Sequence, residues 1–129
     1  MVLDSSAVLA VLFREQGHER IEDAMRDAAV IAMGAPTLFE TAMVAIGRFD
    51  LHGGALVAQF LERWGVEVTP FLDTHHKVAL DAFIRYGKGR HPAALNYGDC
   101  MTYAAARLAD MPLLFTGDDF AHTDVAVAA

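Results

Sequence analysis

Four short strand-like runs punctuate this chain, and long stretches of helical spacing separate them. Val2–Leu3 is apolar and stops at Asp4, and Val30–Met33 (VIAM) is bounded by Gly34 and Pro36. Val66–Thr69 (VEVT) alternates and stops at Pro70, and Pro112–Phe115 (PLLF) runs into Thr116-Gly117. Runs of this length between breakers suit buried strands and are too short for helices. Helical patterns fill the intervals: Ala7–Phe13, Gly17–Asp27, Thr37–Phe49, Gly53–Trp64, Asp73–Tyr86 and Cys100–Ala109. In Thr37–Phe49 the apolar stripe is Leu38, Ala42, Ala45, Ile46 and Phe49. Gly65 stops the fourth helix, Asp73 is the expected N-cap of the fifth, and Val125–Val127 is a last short edge strand. Strands alternating with helices predict an α/β fold, a parallel sheet covered on both faces, in one domain spanning residues 1–129.

Open parallel sheets place ligands at the carboxyl ends of their strands. Asp4 stands at such an end, and Ser5 and Ser6 are both available to cap the following helix, so the acid is surplus to capping. Asp118 and Asp119 follow the last strand; side chains that alternate along a strand let only one of them face inward. Asn96 is a good N-cap, which puts Asp99 in the first turn of a helix, where the partial positive charge of the helix end keeps a carboxylate ionised. Glu40 lies among Leu38, Phe39, Ala42 and Met43, where a buried acid is costly unless paired or bound to a cation.

Four carboxylates gathered at one sheet edge repel each other, and protons or cations must neutralise them. Oxygen ligands select hard ions, Mg²⁺ or Mn²⁺. One or two such ions can activate a water and stabilise the leaving oxygen of a phosphodiester. The sequence shows no triad spacing; His75 and His76 are adjacent and point apart, and the single Cys100 reads as a small buried residue. One cysteine cannot form an internal disulfide, which fits a reducing cytoplasm.

The net charge of −7 argues against a simple nucleic-acid coat, though not against an enzyme that bridges phosphates through cations. The charge is uneven: no acid lies between Asp81 and Asp99, while Arg85, Lys88, Arg90 and His91 do. Lys88, Arg90 and His91 are therefore candidate phosphate contacts. Hydrophobic residues make up 54% of the chain, yet no apolar run approaches the ~18–20 residues of a membrane span. The acid at position 4 and the absence of a basic start argue against a secretory signal. The apolar excess is expected in a core and in interfaces with other chains.

Asp4-Ser5-Ser6-Ala7, Glu40, the run from Gly89-Arg90-His91 through Leu95-Asn96-Tyr97-Gly98-Asp99-Cys100, and Leu114-Phe115-Thr116-Gly117-Asp118-Asp119-Phe120 resemble the PIN-domain ribonucleases, in particular the VapC toxins of type II toxin–antitoxin pairs. The resemblance covers essentially the whole chain. It implies a three-layer α/β/α sandwich and a Mg²⁺-dependent endoribonuclease, with Mn²⁺ as a substitute, acting on tRNA, rRNA or mRNA in the cytoplasm. Asp4 and Asp99 would be the main metal-binding acids, completed by Glu40 and an acid of the Asp118-Asp119 pair. Asp118 follows the Thr-x-Asp pattern of wider PIN domains and is the expected fourth ligand, with Asp119 its alternate. Ser6 would orient a carboxylate or a water. The resemblance also implies a VapB-type antitoxin, a homodimer and no membrane. A metal-dependent DNA nuclease of the flap type, or an inactive PIN-fold binding module, are the alternatives on the same residues.

Overall fold

A computed structural model describes residues 1–128. Its strands are β1 (Val2–Leu3), β2 (Ala32–Gly34), β3 (Glu67–Thr69) and β4 (Leu113–Leu114). They form one parallel sheet in the order β3-β2-β1-β4. The helices are α1 (Ser5–Leu12), α2 (His18–Arg26), α3 (Ala35–Phe49), α4 (Leu51–Trp64), α5 (Asp73–Tyr86) and α6 (Tyr97–Ala109), and a 3₁₀ turn follows at Asp119–His122.

The layers follow from strand alternation. Val2 pairs with Ala32 and Leu113, and these three turn to the face covered by Ala82 and Tyr86 of α5 and Tyr103 and Ala104 of α6. Leu3, Met33 and Leu114 turn to the other face, against Val8 of α1, Ile21 and Met25 of α2 and Phe60 of α4. The result is the expected α/β/α sandwich with β1 at its centre.

Three local expectations change. In α3 the buried stripe is Thr37, Thr41 and Ala45, while Ile46 is exposed. Small residues win this face because the chain packs closely there: a Cβ on Gly53 of α4 would collide with the backbone of Ala45. The hydroxyl of Thr41 is satisfied inside its own helix, donating to the Thr37 carbonyl at 2.8 Å. At α5 the N-cap is Leu72, and the Nδ1 of His75 accepts from the Leu72 N–H at 3.0 Å; Asp73 is the first helical residue instead. Val125–Val127 contributes one parallel bridge, Leu113 to Val127, and no full strand. Among the described residues no helix is long and apolar enough to cross a membrane.

Candidate active site

β1 delivers Asp4 to the carboxyl edge of the sheet in extended backbone, and the chain turns at once into α1. Asp4 itself caps that helix. Its Oδ2 accepts from the Ser6 N–H at 3.1 Å and from the Ser6 hydroxyl at 2.6 Å. The expectation that Ser5 or Ser6 would cap is thus reversed, because the helix begins at Ser5 and both serines lie in its first turn. The Ser6 oxygen in turn accepts the Thr116 N–H at 3.0 Å, which ties β1 to the end of β4. Asp4 is only 5% exposed, and its Oδ1 accepts from the hydroxyl of Thr102 on α6 at 2.9 Å.

Asn96 caps α6 as its sequence predicts. Its Oδ1 accepts from the Asp99 N–H at 2.9 Å, and Asp99 Oδ2 accepts from the Asn96 N–H at 3.0 Å. Asp99 is nevertheless harder to ionise than a free carboxyl. Burial pushes its carboxyl up to about 6, against the lowering pull of the Asn96 N–H, and the charges of Asp4, Asp119 and Glu40 add to the rise. Desolvation and like charge therefore outweigh the helix end.

Glu40 projects from α3 onto the first turn of α6. A Cβ on Gly98 would stand 2.9 Å from its Cδ and nearer still to Oε2, so only glycine leaves room for this carboxylate. Of the acidic pair, Asp119 is the one whose charge acts on Asp99. Asp118 instead starts the 3₁₀ turn, its carbonyl accepting from the Ala121 N–H at 3.1 Å. Strand alternation does not extend to the pair, because β4 ends at Leu114 and Gly117, at φ 82°, turns the chain before Asp118 and Asp119 are reached.

Asp4, Glu40, Asp99 and Asp119 thus share one electrostatic neighbourhood, and among the described residues the charges acting on Asp99 are all acidic. The gathering is looser than a finished cage: among the described residues no three His, Cys, Asp or Glu side chains converge as a metal-binding group. Mg²⁺ is characteristically held by one or two carboxylates with several waters, so such an arrangement suits it. The donors are carboxylates with hydroxyls behind them, the chemistry of a hard-cation site.

The basic loop divides. Lys88 and Arg90 are exposed, with the Arg90 guanidinium 5.7 Å from the Phe83 ring centroid. His91 is held within the loop: its Nδ1 accepts from the Ala93 N–H at 3.0 Å and its ring meets Tyr86 edge-on at 5.2 Å. Arg85 is drawn away to Asp124, which also accepts from the Tyr103 hydroxyl at 2.6 Å. Cys100 is buried as expected, and burial, then the charge of Asp99, pushes its thiol up to about 11.

Sequence reasoning missed Thr37, Thr102 and Gly98. Thr102 lies one helical turn beyond Asp99, and a hydroxyl among buried alanines was the signal that could have found it.

The PIN domain family model matches residues 1–126. Ribonuclease VapC30 of Mycobacterium tuberculosis is 41% identical over 129 residues, covering 100% of this chain and 98% of that protein. Among solved structures, the sarcin–ricin-loop-cleaving toxin VapC20 of M. tuberculosis superposes with a TM-score of 0.78 at 15% identity, over 97% of this chain and 95% of that one. A toxin–antitoxin complex from Klebsiella pneumoniae gives a TM-score of 0.73 at 18% identity, over 98% and 94%. With that family match, and a ribonuclease relative alike over its full length, the chain belongs to the PIN-domain family, among its VapC members.

Proposed function

We propose that this chain is a Mg²⁺-dependent endoribonuclease, the toxin of a type II pair restrained by a VapB-type antitoxin. The observation that carries this reading is that acids from three other segments, Asp4, Glu40 and Asp119, act on the half-buried Asp99. Asp4 and Asp99 would hold the cation, with Glu40 and Asp119 completing its surroundings. When bound, Mg²⁺ or Mn²⁺ supplies Lewis acidity toward phosphate oxygens and makes water more acidic. Ser6 fixes the Asp4 carboxylate through two hydrogen bonds. Lys88 and Arg90, in the loop that leads into α6, would take the flanking phosphates of an RNA.

Phe39 is 68% exposed, Tyr97 is 79% exposed, and both line a groove that Glu40 also lines. Apolar surface of this kind beside the acids suits a protein partner that covers the site, and Met43, Val44 and Met101 widen it. The proposal places the protein in the cytoplasm as a homodimer acting on tRNA, rRNA or mRNA.

The test is cleavage of matched RNA and DNA strands with Mg²⁺, with and without a chelator. RNA is expected to be cut only with the cation, and DNA to survive. Cleavage that persists with the chelator, or equal cleavage of DNA, contradicts the reading. Arg90→Ala is expected to weaken RNA binding and to lower the slope of log K against log salt by about 0.7. An unchanged slope removes Arg90 from the RNA path.

A further inference from the structure

The hydroxyls behind Asp4 form a directed chain. Thr102 has one proton, and the carboxylate can only accept, so that proton goes to Asp4 Oδ1 at 2.9 Å. Thr102 Oγ1 also lies 2.9 Å from Thr37 Oγ1; with its own proton already used, Thr102 must accept there and Thr37 must donate. Thr37 is 1% exposed and Thr102 0%, so neither bond competes with water.

The placement of these threonines links three acids. Thr37 precedes Glu40 by one turn of α3, and Thr102 follows Asp99 by one turn of α6. Their mutual bond therefore fastens α3 to α6 one turn from both acids, while the Thr102 proton orients Asp4. Donor counting sharpens this. Each carboxylate oxygen offers two acceptor positions; Ser6 takes both on Oδ2 and Thr102 takes one on Oδ1. Among the described residues, the acceptor position left to Asp4 is on Oδ1, the oxygen that Thr102 holds.

We propose that Thr102, itself held by Thr37, is a positioning residue that sets the Asp4 carboxylate, and the approach of Glu40 to Asp99, for cation binding. The proposal rests on the nuclease reading only in taking the site's ligand to be a divalent cation. A satisfied core threonine with no such role would affect melting alone.

The experiment is Mn²⁺ binding by calorimetry to the full chain without RNA, for the native protein, Thr102→Val, Thr102→Ser and Thr37→Val, with a melting curve for each. Thr102→Val keeps the shape and removes the proton, and is expected to weaken Mn²⁺ binding about 10–100-fold, as losing an outer hydrogen bond to a metal ligand does. Thr102→Ser restores the hydroxyl and is expected to restore the affinity, and Thr37→Val to weaken binding in the same direction. Unchanged Mn²⁺ affinity in folded Thr102→Val overturns the proposal, as does Thr102→Ser binding as weakly as Thr102→Val. Should Thr102→Val fail to fold, Thr37→Val decides by the same measurement: weaker binding supports the chain and unchanged binding overturns it. Native protein that binds Mn²⁺ but does not cut RNA overturns the nuclease reading alone, whereas native protein that binds no Mn²⁺ overturns both.

Discussion

Asp99→Asn is expected to abolish RNA cleavage and, at the same time, to raise the melting temperature of the metal-free protein. The loss of activity should exceed about 100-fold, the upper end of what removing an outer partner of a metal ligand costs. The gain in stability follows from the carboxyl's position. It titrates near 6 in the fold against 3.8 ordinarily, so the folded chain holds this proton more tightly than the unfolded one. That contribution is complete below 3.8 and is lost as pH rises through about 6. At pH 7.5 the ionised Asp99 is therefore a liability, worth about 1 kcal/mol after discounting for the water that reaches a half-buried group. Asparagine keeps an oxygen to accept the Asn96 N–H, so the cap of α6 survives. A rise of about 4 °C in the metal-free melting temperature is the expected reading, shrinking as the pH is lowered from 6 toward 4. Added Mg²⁺ should raise the native melting temperature and leave the variant unmoved. Full cleavage by the variant, or a variant that is less stable at pH 7.5, contradicts this account of Asp99.

Gly98→Ala is expected to fold normally and to lose most of its activity. The glycine is not in left-handed backbone, so alanine suits the helix, where it is favoured over glycine by up to about 1 kcal/mol. Its methyl group, however, takes the space of the Glu40 carboxylate. The flexible end of Glu40 yields, and a misplacement of about 1 Å at a reacting site can cost about 100-fold. Loss should therefore appear in activity, with stability within about 1 kcal/mol of the native protein. A double-variant cycle with Glu40→Ala identifies the cause: once Glu40 is truncated, Gly98→Ala should add little further loss. Independent, additive losses would mean that Gly98 acts through something other than Glu40.

Much of the layered fold was legible because β1, β2 and β4 are short apolar runs whose alternation feeds two faces of one sheet. Asp4 and Asp99 were legible for a similar reason, one at a strand end and the other beside a strong N-cap. What the chain concealed depends on distance in three dimensions. Asp4 caps α1 because the helix begins at Ser5, and the Ser6 hydroxyl that also holds its carboxylate accepts from Thr116, 110 positions away. That the charge of Asp119 acts on Asp99 depends on how Gly117 and the 3₁₀ turn place the acidic pair, to which a two-residue period does not apply. The raised carboxyl of Asp99 reflects desolvation and three acids from distant segments, which local helix-end reasoning leaves out. In α3 Ala45 is buried as its spacing predicts, but the close packing there selects Thr37 and Thr41 beside it and leaves Ile46 exposed, which a count of apolar side chains does not foresee.

The most direct test is an anomalous-difference map from crystals of the full chain grown with Mn²⁺. The account predicts a peak about 2 Å from carboxylate oxygens of both Asp4 and Asp99. Manganese bound only elsewhere on the surface, with these acids bridged by nothing but protons and protein donors, would contradict it.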